Sequence, residues 1–371
     1  MKIFLLLSTN KIGGAERRFF GLWQSFCINN NDVRIILVGS PELFRALSSN
    51  EVDSTSIKKY KQFTIEYDLS GNFEKYQRSI VAFVNEHTQK KDILHFIGDH
   101  PLRTFKERIQ IYSITQSSFR NLNLVGKIGQ LGGVFFSDKI DVLDPNIYSA
   151  IKKLFFYKKK NIFRTSNSFC DVNIFKPLPF VQKDDWFVFL GRVEGMKQVI
   201  ELLHCIPIVY NAIKQISNKE IHFYFLGYGS LEIEIGKLLE QDKFKNLPIT
   251  IKYTDNPIEI LKASKFFFSL QRNNNYPSRS LIEAMSSGNI PIVTDVGQTR
   301  WLAKPEFSYY VPERFNCEDI LNAIQKIYKE DEKALSKMSK MARKFVIKEH
   351  TIEKMGEYYL SIYKKSNSFN N

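Results

Sequence analysis

Two cations set the chemistry this chain can do. Arg192 and Lys197 lie just beyond an apolar run, residues 186–190, with Gly191 between. A guanidinium forks onto two phosphate oxygens, and a lysine adds a compact point charge. A second anion-binding geometry lies near the start. Gly13-Gly14 separates the apolar run 2–7 from a helix that opens at Ala15-Glu16-Arg17. Such a turn presents free backbone N–H groups and the positive end of a helix. It is not a GxGxxG turn, and no GxxxxGK[ST] loop occurs in the chain. A third stretch, NNNYPSRSLIEAMSSGNIPIVTDVGQTRWL, spans residues 273–302. Glu283 there can accept hydrogen bonds from a ligand. Ser280-x-x-Glu283 also has capping-box spacing, so Glu283 can equally cap its own helix.

These residues need elements to hold them. Apolar, β-branched and aromatic runs predict strands at 2–7, 33–39, 92–96 and 110–115, then at 186–190, 221–226, 249–253, 266–270 and 290–294. Helical periodicity lies between them, as at 75–89, where Ile80, Phe83 and Val84 share a face. Residues 50–70 read as a polar connection with weak strand character. In the stretch 273–302, Pro277 suits a first helical turn, and Leu281, Ile282 and Met285 form an apolar face. Gly288 stops that helix and 290–294 is the strand after it. Helices at 318–328, 332–347 and 352–363 end the chain. Alternating strands and helices, doubled, imply two α/β domains, as does a length of 371 residues. Pro177 and Pro179 mark a linker, which puts the domains at 1–178 and 179–354, with a terminal helix from about 355. His95, Asp99 and His100 sit at the end of a strand, where open α/β sheets bind ligands. A purely structural role for each is the alternative.

Composition bounds the rest. Apolar residues make up 43% and charged residues 25%, as in ordinary globular proteins. No run reaches the ~18 apolar residues of a membrane span. The opening run is too short for a signal peptide and no small-residue cleavage site follows, so it reads as a buried strand. Cys27, Cys170, Cys205 and Cys317 are far apart, without a CxxC pair, which suits scattered thiols in a reducing cytoplasm. No HExxH or Asp-x-Asp pattern occurs, and no metal ligand set is assigned. Net charge is +14, concentrated in the first 180 residues, with 26 Lys and Arg against 16 Asp and Glu. An anionic partner follows: a membrane face, a phosphorylated acceptor or nucleic acid. A lysine-rich genome gives the same excess. No nucleic-acid-binding module is recognisable, so nucleic acid is not assigned as a partner. Residues 146–164 mix aromatics with cations and hold no acid. They read either as a membrane-interface segment or as a surface helix and strand.

The stretch 273–302 resembles the donor-sugar signature of family 4 retaining glycosyltransferases of the GT-B fold. Pro277, Leu281, Glu283-Ala284-Met285, Gly288, Pro291 and Gly297 carry the match, and Gly-Gly-Ala-Glu-Arg after the first strand is that family's usual opening. The family's second glutamate is replaced here by Asn275, as in members with an Asn-Tyr-Pro-Ser loop. The histidine that the family often places after the fourth strand is replaced by Gln116-Ser117-Ser118. The resemblance implies two Rossmann-like domains facing a cleft, with a C-terminal helix crossing back to the first. It implies a UDP- or GDP-linked sugar as donor and a glycan or lipid-linked hydroxyl as acceptor, in lipopolysaccharide or capsule synthesis. The setting it implies is cytoplasmic, peripheral on the inner face of the membrane. Arg192, Lys197, Glu283 and Asn275 would be the catalytic set. Gly13, Gly14, Gly191, Gly227, Gly229, Tyr276, Pro277, Ser278, Ser280 and Leu281 would hold the donor. Glu283 would take the ribose hydroxyls, and cationic side chains would do the work of a metal ion. Two other readings stay open: a sugar-nucleotide epimerase of the same fold, and a basic nucleic-acid-binding protein.

Overall fold

The computed structural model describes residues 2–10, 13–28, 33–49, 54–115, 124–165, 168–254 and 256–367. Gln116-Ser117-Ser118 lie outside them. The chain forms two compact units, Met1–Asn167 with Ile352–Asn371, and Ser168–Thr351. The stretch expected to be a linker belongs to the second unit. Phe175 and Phe180 are buried in that unit's cores. The Phe175 carbonyl accepts from Ser286 Oγ at 2.8 Å and from Arg343 at 2.7 Å. The terminal helix, Ile352–Asn367, returns to the first unit and packs on the helix Gly14–Ile28.

The first unit is a parallel sheet of seven strands: β1 (Lys2–Leu7), β2 (Arg34–Gly39), β3 (Thr64–Glu66), β4 (Ile93–Ile97), β5 (Ile109–Ile114), β6 (Lys139–Val142) and β7 (Ile162–Arg164). Their spatial order is β3-β2-β1-β4-β5-β6-β7. Ile3 pairs with Ile35 on one side and Ile93 on the other. β1 and β4 are apolar along nearly their whole length because both faces of a parallel sheet are covered by helices. The second unit repeats the plan with β8 (Asp184–Leu190), β9 (Ile221–Leu226), β10 (Ile249–Lys252), β11 (Ser264–Ser269), β12 (Ile290–Thr294) and β13 (Tyr309–Val311), ordered β10-β9-β8-β11-β12-β13. Both units are Rossmann-like. Each sheet changes winding direction at one place, between β1 and β4 and between β8 and β11, and the loops there are where such folds bind ligands.

In the second unit the helix Val199–Ile216 is long and apolar enough to cross a membrane. Leu202, Leu203, Ile206, Val209 and Ile213 lie in that unit's core. It packs on the helix Cys317–Lys329, and Cys205 and Cys317 form a disulfide there with Cα atoms 4.8 Å apart. Scattered thiols were the expectation for all four cysteines. Helix packing joins two that are remote in sequence, and only Cys27 and Cys170 are free.

Candidate functional site

The second unit's site is built from the loops that follow β8, β9 and β11. Leaving β8, Gly191 N–H donates to Leu226 O at 3.0 Å, and Val193 N–H donates to Tyr228 O at 2.9 Å. The two loops therefore run backbone to backbone. A Cβ on Gly227 would lie 1.9 Å from Gly191 O, and one on Gly229 would lie 2.4 Å from Val193 O. No side chain fits at either place, so these glycines hold the Arg192 loop in position. Between the loops, Arg192 stands exposed, its Nη1 2.9 Å from Glu194 Oε1. Tyr228 and Tyr253 are exposed beside it, ring centroids 5.0 Å apart.

The expected helix from Gly191 does not run on directly. Gly195–Lys197 is a single 3-10 turn, Gln198 is left-handed (φ 52°), and only then does Val199–Ile216 begin. The turn places Lys197 half-buried at the head of that helix. Burial pushes its pKa down to about 8; the Arg192 charge adds to this and Glu194 opposes it. The loop after β11 closes against the turn, with Arg272 N–H donating to Met196 O at 3.0 Å. The Arg272 guanidinium meets Glu201 at 2.6 Å and Gln198 Oε1 at 3.5 Å. The Gln198 side chain is buried and its Nε2 has no partner. Arg272 was missed from sequence because it sits at a strand end with no motif. The signal was present in Glu201, a lone acid in the first turn of an apolar helix.

Asn275, expected in the catalytic set, lies in the loop after β11. It is buried, and its Oδ1 accepts from Ser269 Oγ at 2.9 Å and from Gln271 Nε2. Its Nδ2 donates to Ser269 O at 2.7 Å. The amide thus braces the loop from inside. Asn274 Oδ1 does similar work, accepting from the N–H groups of Tyr276 and Gln298, each at 3.1 Å. Tyr276 is buried against Trp301, and the Leu281 side chain lies wholly in the core, so neither side chain is offered to a donor. Pro277 precedes the helix Arg279–Ser286 rather than opening it, because Ser278 is the N-cap and accepts from Leu281 N–H. Ser280 lies half-buried with its hydroxyl 3.4 Å from that of Ser278.

The capping reading of Glu283 is therefore displaced. Its carboxylate instead pairs with Arg279 Nε at 2.7 Å, one helical turn back, at the rim of the same loop.

Gly13 and Gly14 are exposed at the start of the helix Gly14–Ile28. The Gly13 N–H is taken by Glu16 Oε2 at 2.7 Å, a carboxylate that an incoming anion must displace. Ser8 Oγ lies 3.1 Å from Asp99 Oδ2. His95 is enclosed, bonded to Tyr363 OH and Ser113 Oγ, and burial pushes its pKa down to about 3. His100 contacts Ser137 Oγ and is held down to about 3 by burial and then by Lys158. Both histidines are buried, which favours their neutral forms. Among the described residues no group of three His, Cys, Asp or Glu is gathered that could hold a metal ion.

Residues 172–345 match the family profile described as glycosyl transferases group 1. No curated protein matches the chain. Among solved structures, TarM from S. aureus aligns with TM-score 0.64 and 20% identity, over 78% of this chain and 58% of that one. The chain thus spans less than two thirds of TarM. A glycosyltransferase from Rickettsia africae ESF-5 aligns with TM-score 0.71 and 15% identity, over 100% of this chain and 99% of that one. Anabaena HepE in complex with UDP and glucose aligns with TM-score 0.72 and 11% identity, over 98% and 100%. The shared feature is the fold: two Rossmann-like parallel sheets of GT-B type.

Proposed function

We propose that the chain, whose residues 172–345 match the family profile described as glycosyl transferases group 1, is a retaining glycosyltransferase using a nucleoside diphosphate sugar. The observation that carries this is the cation cluster of Arg192, Lys197 and Arg272, gathered by the loops after β8 and β11 at the switch point of the second sheet. When a glycosidic bond to a diphosphate breaks, negative charge builds on the leaving oxygens. Preorganised cations lower the barrier most where that charge develops. Arg192 turns from Glu194 to the diphosphate, and Lys197 regains its full charge beside it. Tyr228 and Tyr253, exposed and set edge to face on the neighbouring loops, offer a nucleobase an aromatic ring to stack on. Glu283 takes the ribose hydroxyls, with Arg279 fixing the carboxylate. Asn275 contributes by holding the loop rather than by touching sugar.

UDP is the first nucleotide to try, since Anabaena HepE has been solved in complex with UDP-glucose. The acceptor in this reading is a glycan or lipid-linked hydroxyl of bacterial surface polysaccharide, met at the inner face of the cytoplasmic membrane. The basic first half and the exposed Leu154, Phe156 and Tyr157 support the membrane part. Calorimetry across a panel of UDP- and GDP-sugars, followed by turnover in EDTA, tests the whole. The expected result is one preferred donor and activity that survives chelation. No binding across the panel would overturn the donor assignment. Loss in EDTA, restored by manganese, would overturn the metal-free mechanism.

A further inference from the structure

The helix Leu124–Phe136 and the segment after Pro145–Leu154 share a surface that donor chemistry does not use. Leu124, Ile128 and Phe135 fall on one helical face. Together with Leu154, Phe156 and Tyr157 they are 57–73% exposed. Lys158 ties the two pieces together. Its ammonium donates to the carbonyls of Val134, Phe135 and Ser137 and lies 5.9 Å from the Phe135 ring. Single exposed apolar residues are ordinary, but Phe135, tied through Lys158 to the segment that carries the Phe156–Tyr157 pair, makes an exposed apolar patch of the kind that marks a contact surface.

Beside the patch is a cavity of about 620 Å³ at the amino ends of β4, β5 and β6. Lys90, Lys91, Arg108, Lys139 and Lys158 line it, against Glu107 and Asp138. Glu107 is already held by Lys90 at 2.7 Å. Burial, then the charge of Lys365, pushes Lys139 down to about 8, with Asp138 opposing. An anion in the cavity would offset both effects. No acidic residue occurs from 145 to 164, where Lys152, Lys153, Lys159 and Lys160 flank the aromatics. Aromatic and aliphatic tips with lysines around them are what an anionic lipid interface selects: rings enter the headgroup layer while ammonium groups reach phosphates.

We propose that the amino-terminal edge of the first sheet docks on an anionic lipid bilayer, with Phe135, Leu154, Phe156 and Tyr157 entering the interface and the lysine-lined cavity seating a lipid phosphate. This deepens the membrane part of the proposed function and rests on it. The site lies at the end of the strands opposite to Gly13 and Asp99, so lipid contact leaves the carboxyl-end loops of that sheet open.

The experiment is flotation of the full chain with phosphatidylcholine vesicles and with vesicles containing phosphatidylglycerol, at low and high salt. The chain binds the anionic vesicles and salt weakens that binding. Phe156→Ser with Tyr157→Ser lowers it by about tenfold or more. Lys91→Glu weakens binding to anionic vesicles only. In Tyr157→Trp, brominated lipids quench the added fluorescence. UDP affinity, a property of the second unit, stays unchanged in all of these, so vesicle binding without UDP affinity would remove the donor reading and support this one. Wild-type binding by the Phe156→Ser and Tyr157→Ser chain would overturn the proposal. A dimer that the same pair of changes dissociates would also overturn it, because a second copy would then cover the patch.

Discussion

The two sheets switch winding at equivalent places, yet the loops there leave different groups for a ligand. After β1 and β4, the first unit's polar groups are mostly spoken for: Glu16 holds the Gly13 N–H, Ser8 meets Asp99, and His95 and His100 are enclosed and neutral. After β8 and β11, the second unit offers three cations: Arg192 and Arg272, each paired with a partly exposed acid, and the half-buried Lys197. The same topology thus carries different side chains at its two switch points, and side chains rather than fold decide what each can do. In the proposed function the second unit binds an anion by exchanging one surface ion pair for another, which costs little because exposed pairs are weak.

The largest expected effect separates the units most sharply. Arg192→Ala and Lys197→Ala should each lower the transfer rate by ~10²–10³ without lowering the melting temperature. His95→Gln should leave the rate per folded molecule unchanged while destabilising the first unit. Near-normal turnover of both second-unit variants, with donor saturating, would erase the distinction.

Next is Asn275→Ala. It leaves Ser269 and Gln271 groups without partners in a buried loop, and a lost buried partner costs about 1–3 kcal/mol. Thermal unfolding should show that loss, with the diphosphate affinity of the folded protein only modestly changed. An unaffected melting temperature would mean the amide is not the brace described here.

A smaller effect is expected at Glu283. Hydrogen bonds to charged groups contribute ~1.5–3 kcal/mol, so Glu283→Gln should weaken UDP binding about tenfold. Stability should hardly move, since Ser278 is the cap. Unchanged UDP affinity would confine Glu283 to pairing with Arg279.

Smallest are the pH effects. His95 and His100 are held near 3 against 6.5 in the unfolded chain, so between those values the unfolded chain binds more protons. Their stabilisation is therefore complete above about pH 6.5 and lost as pH falls toward 3. In the second unit, Lys183 donates to Ser264 O and Ser287 O, and burial, then Lys265, holds it down to about 7 from 10.5. Stability there rises with pH across that window. Melting curves of His95→Gln and Lys183→Met should flatten the acid and alkaline slopes respectively. Slopes identical to wild type would refute the burial argument.

Much of the fold was legible because its strands announce themselves. Ile-Pro-Ile-Val-Thr after a Gly break became β12 over the expected residues, and each central strand is an apolar run bounded by polar turns. Gly191, Arg192 and Lys197 were legible as a cation-bearing loop. What sequence hid is set by tertiary contact. Ser278 rather than Ser280 caps the helix because the chain enters through Pro277. Asn275 looks like a polar loop residue until its Oδ1 is seen facing Ser269. Cys205 and Cys317 meet only because two helices pack. The exposed face of Leu124–Phe136 was invisible because that helix is apolar nearly all round, so no period separates its buried side from its open one.

In the proposed function Lys197, half-buried in the turn Gly195–Lys197, is a charge waiting for a diphosphate. The direct measurement is calorimetric titration of UDP into the wild type and Lys197→Ala from pH 7 to above 9, in buffers of different ionisation enthalpy. With Lys197 held at about 8 in the free protein, an anion restores its ordinary value. Binding above pH 8 should therefore take up a proton, and affinity should fall by up to about tenfold per pH unit. Lys197→Ala should bind more weakly and show neither effect. Proton uptake and pH dependence that are the same in both proteins would contradict the account.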